Sequence, residues 1–156
     1  MRIRVSSRDN RLWVVATVAR PASRRSTPIK FILDTGSTQT FLNQSSAYDL
    51  GLEGDLASLR RDSRDVFIGG GIHLARLLPD VLFLFEKEGG GVFSIQMPMV
   101  RVIEPRNQRT RQHGELPNIL GYDVLTEGRL TTIIQPWREY FTITDEPVSL
   151  GDQELA

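Results

Sequence analysis

Residues 31–38 of the chain read Phe-Ile-Leu-Asp-Thr-Gly-Ser-Thr. The three large apolar residues before Asp34 predict a strand that leaves the core at this carboxylate, which is costly to bury unless neighbouring groups donate hydrogen bonds to it. Hydroxyl donors follow on Thr35, Ser37 and Thr38. Gly36 has no Cβ to keep the backbone away from the carboxyl group. The stretch therefore indicates either a reactive carboxylate or an ordinary turn in which Asp34 bonds its own backbone.

Two further stretches accompany the first one. Residues 116–125 read Leu-Pro-Asn-Ile-Leu-Gly-Tyr-Asp-Val-Leu, which predicts a strand ending in a glycine and then a short helix. Between them, residues 65–77 predict a β-hairpin whose tip contains Gly69, Gly70 and Gly71, and we call this segment the glycine hairpin. An ordinary glycine-rich turn is the alternative interpretation of the triplet.

The order and spacing of these three stretches resemble those of the retropepsin-like aspartic proteases, the single-domain relatives of retroviral protease. The resemblance extends over residues 12–144. It implies a closed antiparallel β-barrel-like acid protease fold with one or two short helices, whereas the strand pattern alone predicts only an all-β domain. Residues 1–11 are then an N-terminal extension with an edge strand, and residues 145–156 are a polar C-terminal tail.

The resemblance also implies roles for single residues. Asp34 would be the catalytic aspartate, Thr35 would bond across a dimer axis beneath it, and Gly36 would approach the substrate backbone. Ser37 would donate a hydrogen bond to the carboxylate. The glycine hairpin would be the flap that closes over bound substrate. The implied substrate-binding residues are Ser37, Gly69, Gly70, Gly71 and Ile72.

Peptide hydrolysis by carboxylates needs two of them close together, because one activates a water while the other protonates the carbonyl. The chain has a single Asp-Thr-Gly. Asp123 is the other candidate, but it would face along the short helix, where a capping or structural role is expected. The second carboxylate would therefore be Asp34 of another copy, related by a two-fold axis. The expected protein is a homodimeric aspartic endopeptidase acting on peptide or protein substrates, with no cofactor and no metal.

The chain also departs from the viral pattern. Viral enzymes carry an acidic residue two positions after the glycine of the first motif, and it pairs with an arginine straight after the glycine of the second. Here those positions are Thr38 and Tyr122. Two other functions stay open: a non-catalytic dimerisation or peptide-binding module that keeps the fold, and a β-domain of unrelated role in which the motif matches are accidental.

Composition limits the remaining possibilities. The 156 residues, 40% of them hydrophobic, suffice for one domain with a real core. Nineteen basic and nineteen acidic residues cancel, so no overall field favours nucleic acid or an anionic membrane as a partner. The absence of cysteine excludes disulfides and thiol catalysis. Residues 12–19 are apolar but alternate like a strand rather than a signal peptide, and we expect a cytoplasmic protein.

Local signals predict the other elements. Asn43 or Ser45 would cap a short helix that ends at Gly51, and Gly128 would end the helix after Gly121. His73 is expected on the surface of the glycine hairpin. Residues 104–115 are expected to form a polar loop. The predicted strands cover residues 2–5, 11–19, 29–33, 81–85 and 99–103, with a C-terminal hairpin of 130–134 and 140–144.

Overall fold

The computed structural model describes residues 1–68, 71–104 and 116–146. This part of the chain is mostly β-sheet with two short helices, which confirms the predicted all-β class. The strands are β1 (Arg2–Arg4), β2 (Ser6–Arg8), β3 (Arg11–Arg20), β4 (Arg25–Leu33), β5 (Phe41–Leu42), β6 (Val66–Ile68), β7 (Gly71–Glu86), β8 (Val92–Glu104), β9 (Asn118–Leu120), β10 (Thr131–Gln135) and β11 (Tyr140–Thr144). The helices are α1 (Gln44–Ala47) and α2 (Tyr122–Glu127).

The strands form two sheets. The smaller sheet has the order β1-β11-β10, and the larger one has the order β2-β3-β4-β9-β5-β8-β7-β6, with a further pairing between β3 and β7. Most pairings are antiparallel, as expected, but β4 with β9 and β5 with β8 are parallel. Since β9 lies between β4 and β5, the loop that joins those two strands must cross the chain that leaves β9. That loop is residues 34–40, which contains Asp34.

Alternation of apolar residues explains the central strands. Every second residue of β3 from Val14 to Val18 is buried, and so is every second residue of β4 from Ile29 to Leu33. These side chains pack on β7, where the ring centroid of Phe83 lies 5.8 Å from that of Phe31. Burial of such apolar area is the main favourable term in folding. It also fixes the end of β4 and therefore the place where Asp34 emerges.

Helix α1 begins where the sequence predicts but ends at Ala47, and a second helical segment continues from it to the predicted glycine. The side chain of Asn43 accepts a hydrogen bond of 2.8 Å from the N–H of Ser46, as an N-cap residue does. The helical path continues through Tyr48–Leu52 and turns at Gly51, whose φ of +84° favours glycine. Helix α2 ends at Gly128, also as predicted.

Several predicted boundaries are corrected. The strand expected at residues 29–33 begins at Arg25, and the one expected at 99–103 begins at Val92. Residues 81–85 belong to one long strand, β7, in which Leu82 and Leu84 are partly exposed rather than buried on both faces. The C-terminal hairpin is confirmed as β10 and β11. Residues 105–115 of the expected loop and 147–156 of the tail lie outside the described residues.

Residues 1–11, expected to be an extension, contribute β1 and β2, which pair with β11 and β3. The predicted edge strand near the N-terminus is β1, at one side of the smaller sheet. None of the helices in the described ranges is long and apolar enough to cross a membrane.

Candidate active site

Asp34 lies directly after β4, at the point where the chain leaves the sheet. Its backbone N–H donates to the carbonyl of Leu120 in β9, at 3.1 Å, so the neighbouring parallel strand holds the main chain in place. Its side chain is exposed to solvent in a single chain. The carboxylate Oδ1 accepts a hydrogen bond of 3.0 Å from the N–H of Gly36. The predicted strand therefore delivers a fixed, accessible carboxylate.

The close approach expected at Gly36 is present. A Cβ at this position would lie 3.2 Å from Asp34 Oδ1, tighter than an ordinary contact. The expected hydrogen bond from Ser37 is not present, because its hydroxyl donates to the carbonyl of Gln39 at 2.8 Å. The backbone N–H of Gly36 takes the place of that donor. Ser37 instead closes the turn, with its own N–H donating to the carbonyl of Asp34 at 3.1 Å.

The connection from β9 to α2 crosses the loop 34–40 at very close range. A Cβ on Gly121 would lie 2.3 Å from the carbonyl carbon and oxygen of Gln39, so only glycine fits there. Just beyond it, the N–H of Tyr122 donates to the carbonyl of Ser37 at 2.8 Å. The glycine that ends the second motif thus allows the chain to lie against the loop carrying the first one.

Asp123 has a structural role, as expected. Its carboxylate accepts from the hydroxyl of Thr40 at 2.6 Å, from the Thr40 N–H at 2.9 Å and from the Val124 N–H at 2.8 Å. The Thr40 hydroxyl in turn accepts from the N–H of Gly121 at 2.9 Å. Thr40 is fully buried. Thr40 was not identified from the sequence as the partner of Asp123. The one hint was that Thr40 lies at the end of the loop that begins at Asp34.

Asp34 faces an open cleft of about 650 Å³. Strand β6, the first strand of the glycine hairpin, forms one wall of it. The cleft is lined by apolar residues and by several charged ones. Gly36 and Ser37 line it next to the Asp34 carboxylate. The remaining lining residues are Arg11, Ile32, Thr38, Gln39, Phe41, Asp62, Arg64, Asp65, Val66, Phe67, Ile68, Pro117 and Ile119. A concave, partly apolar cleft with an accessible carboxylate can accommodate an extended peptide.

Asp62, at the charged part of the cleft, is paired with Arg101 of β8. The guanidinium Nε donates to Asp62 Oδ2 at 2.7 Å, and both side chains are more than four-fifths buried. Burial alone would raise the pKa of Asp62, but the N–H of Arg64 and the hydrogen bond and charge of Arg101 outweigh it and hold this pKa below its ordinary value. Asp62 is therefore a structural anion that fixes the segment before β6.

The glycine hairpin is present as β6 paired with the start of β7. Ile68 pairs with Gly71 and Phe67 pairs with Ile72, while Gly69 and Gly70 lie outside the described residues. Phe67 is 73% exposed and Ile72 is 52% exposed. Neither Gly71 nor Ile72 is part of the cleft lining in one chain. Their role in substrate binding stays a prediction, as do the roles of Gly69 and Gly70.

His73, expected on the surface of this hairpin, is buried, with 1% of its area exposed. The prediction is wrong because His73 shares the inward face of β7 with Ala75 and Leu77, whereas its neighbour Ile72 lies on the opposite, exposed face. It pairs with Val66, so it lies beside β6 in the sheet.

A second groove, of about 530 Å³, begins at Thr35, directly after Asp34. It runs along β10, the strand at one side of the smaller sheet. Among the residues that the structure describes, its lining contains no charged side chain and consists of Thr35, Tyr122, Leu125, Leu130, Thr131, Thr132 and Ile134. Tyr122 and Ile134 expose 58% and 41% of their area. The hydroxyl oxygen of Thr132 is buried and has no hydrogen-bond partner among the described residues.

In the described part of the chain, no three histidine or acidic side chains are grouped so that they could hold a metal ion. No family model matches the sequence, and no curated protein does. The structure is similar to a solved structure of a retropepsin-like aspartic protease from Rickettsia conorii, with a TM-score of 0.57 and 18% sequence identity. The match covers 92% of this chain and 97% of that one. At this identity the similarity shows that the two proteins share a fold.

Proposed function

We propose that the protein is a homodimeric aspartic endopeptidase in which two Asp34 carboxylates, one from each subunit, activate a water beneath the glycine hairpin. The observation that carries the proposal is the placement of Asp34. Its carboxylate is exposed in a peptide-sized cleft, and the Gly36 N–H and the backbone bond to Leu120 hold it in position. The fold shared with the retropepsin-like aspartic protease from Rickettsia conorii supports it.

The chemistry explains why a second copy is required. Two carboxyl groups about 3 Å apart cannot both ionise readily, so the pair holds one proton. The ionised partner accepts a proton from the water as it attacks the peptide carbonyl, and the protonated partner donates to the carbonyl oxygen. Asp123 cannot act as the second carboxylate of the same chain, because both of its oxygens are occupied by Thr40.

The second copy would dock in the groove beside Thr35. A two-fold axis brings the same residues of both chains together, so charged side chains near it would repel their own copies, and this groove has none. Strand β10 offers a free edge among the described strands, and such edges pair with strands of another chain. Because the groove begins at Thr35, a second copy docked in it would lie next to Asp34.

Cleavage of a peptide library by the wild type and by Asp34→Asn tests the proposal. We expect the wild type to cleave and the variant, which has nearly the same shape but lacks a base, to lose activity by several powers of ten. Asp9→Asn is the matched control, since the Asp9 side chain is 84% exposed and lies outside the cleft lining. Equal cleavage by the wild type and Asp34→Asn would remove Asp34 from the mechanism.

Binding of library peptides without cleavage would instead favour the non-catalytic peptide-binding module. That outcome is measured on the same samples, by fluorescence anisotropy of labelled peptides. The cleft has both charged and apolar lining residues, so the peptides in the library should vary in charge and in hydrophobicity. The substrate and the cytoplasmic location stay predictions from the sequence.

A further inference from the structure

His73 is a buried histidine that the proposed chemistry does not use. Its Nε2 lies 3.0 Å from the carbonyl oxygen of Ile68, across the glycine hairpin. A carbonyl oxygen only accepts, so Nε2 must carry the hydrogen. The other ring nitrogen, Nδ1, is buried and has no hydrogen-bond partner among the described residues. The surroundings therefore fit the Nε2–H tautomer, since no described residue offers an acceptor to an N–H at Nδ1.

The ring also occupies the space beside Gly71. A Cβ on Gly71 would lie 3.1 Å from His73 Nε2 and 3.4 Å from Cε1. A side chain at position 71 would therefore require the ring to shift by a few tenths of an ångström. The single imidazole thus lies against both described ends of the hairpin, Ile68 and Gly71.

Strand β6 has few other attachments. It contains only Val66–Ile68, and in the described structure it lies at the end of the larger sheet, paired with β7 alone. Val66 and Ile68 are partly buried against a small cluster of Phe41, Ile103 and Ile119. The same strand forms a wall of the cleft that contains Asp34. A side-chain hydrogen bond at its last described residue is therefore a substantial share of what fixes this wall.

We infer that His73 is a positioning residue, which holds β6 against the cleft through its Nε2–H bond to the Ile68 carbonyl. The inference rests on the proposed function, because β6 is the wall that bound peptide would contact. Without this bond, β6 has more conformations in the free protein, and peptide binding has to restrict them. The cost of ordering it then appears mainly as weaker binding. His73 does not contact the reacting atoms.

Two substitutions separate this role from simple packing. The terminal amide nitrogen of Gln in His73→Gln occupies about the place of the imidazole Nε2 and can donate to Ile68. The side chain in His73→Met fills similar volume but cannot donate. A positioning role through the hydrogen bond predicts that His73→Gln retains function better than His73→Met. A packing role predicts the reverse order, because an apolar side chain suits a buried site better than an amide.

We expect His73→Met to raise KM for a cleaved peptide by about three- to tenfold, the effect of one hydrogen bond, with a smaller change in kcat. His73→Gln should stay within about twofold of the wild type. The N–H groups of Val66 and Ile68 face β7 in the hydrogen-bonded pairs of this hairpin, so their amide hydrogen exchange should be faster in His73→Met than in His73→Gln. Unchanged kinetics and exchange in His73→Met, or a better result for Met than for Gln, would overturn the inference.

Two measurements on the protein without peptide test His73 even if no peptidase activity is found. Long-range proton–nitrogen NMR spectra of protein with labelled histidine report the tautomer of each ring, and His73→Gln assigns the signal of His73. We expect a neutral Nε2–H ring. A neutral Nδ1–H ring would overturn the inference whatever the enzyme does. Absence of cleavage in the wild type, with the expected tautomer and exchange rates, would contradict the proposed function and leave the attachment of β6 intact.

Discussion

At the scale of single residues, Gly121 leaves no room for a side chain. A Cβ there would meet the backbone of Gln39 at 2.3 Å, and backbone on both sides prevents an easy adjustment. We expect Gly121→Ala to lower the free energy of unfolding by about 3 kcal/mol. Urea unfolding followed by circular dichroism measures this loss.

Gly89→Ala is the control for backbone conformation without a steric clash. Gly89 has a φ of +87° but no atom within 4 Å of an added Cβ. We expect a loss of only about 1 kcal/mol, the cost of a left-handed conformation for alanine. Equal losses in the two variants would show that the crossing at Gln39 is less tight than the structure has it.

Asp123 and Thr40 form a second residue-scale test. Asp123→Asn keeps one oxygen for the Thr40 N–H but turns an NH₂ group toward the Thr40 hydroxyl and the Val124 N–H. The bond from Val124 is then lost, and the Thr40 hydroxyl has to accept where it now donates. We expect a loss of about 1–3 kcal/mol in unfolding free energy. Peptidase activity per folded molecule should stay close to that of the wild type. A loss of turnover comparable to that of Asp34→Asn, with stability unchanged, would assign Asp123 to the chemistry instead.

At the scale of elements, the segment before β6 is attached to the sheet by ion pairs. Asp62 pairs with Arg101, and Arg76 pairs with Glu104 at 2.8 Å while its Nη1 donates to the carbonyls of Ala57 and Leu59. Because the pKa of Asp62 is lowered in the folded protein, its ionised form stabilises the fold. This stabilisation is fully present at pH values above the pKa that Asp62 has in the unfolded chain. It is lost as the pH falls through the lower pKa that Asp62 has in the folded protein.

Asp62→Asn should therefore lower the unfolding free energy by about 1–2 kcal/mol near pH 7. The difference from the wild type should shrink below about pH 4 and vanish once Asp62 is protonated in both states. Urea unfolding of both proteins from pH 7 to pH 3 measures it. Asp9→Asn, at an exposed position, should show no such pH-dependent difference. A difference that stays constant down to pH 3 would contradict the ion pair as its cause.

Local sequence signals were sufficient to predict several elements and the position of Asp34. The turn of the helical segment after α1 follows from Gly51 and the end of α2 from Gly128, and the exit of Asp34 follows from the three apolar residues before it. The start of β4 at Arg25 was missed, because residues 25–28 are polar or proline and extend the strand only by pairing with β3. Pairing with another strand is not visible in local sequence.

Long-range contacts account for the rest. Thr40 and Asp123 are 83 positions apart, and nothing near either residue indicates the other. The insertion of β9 between β4 and β5 with one parallel neighbour could not be read from alternation, which is the same for parallel and antiparallel partners. Likewise, the burial of His73 depends on which face of β7 turns inward.

At the scale of the whole molecule, activity should depend on protein concentration. If each active site takes one Asp34 from each of two chains, the active fraction follows the monomer–dimer equilibrium. The residues at the positions of the viral acid–arginine pair, Thr38 and Tyr122, cannot form an ion pair. On the proposal above, the groove along β10 holds the dimer instead. Specific activity should fall on dilution below the dimer dissociation constant. Constant activity from a particle that sedimentation shows to be monomeric would contradict the shared site.

Charge substitutions at Ile134 locate the contact. Ile134 is 41% exposed on β10 in the uncharged groove, and a two-fold axis would bring its copies near each other. Ile134→Lys and Ile134→Glu should each repel their own copies, giving monomers with little activity. Val92→Lys, at an apolar residue 58% exposed outside the groove lining, should dimerise normally. An equimolar mixture of the two Ile134 variants should recover dimers and activity, because opposite charges then meet. Dimers of normal mass in each variant alone would place the interface elsewhere.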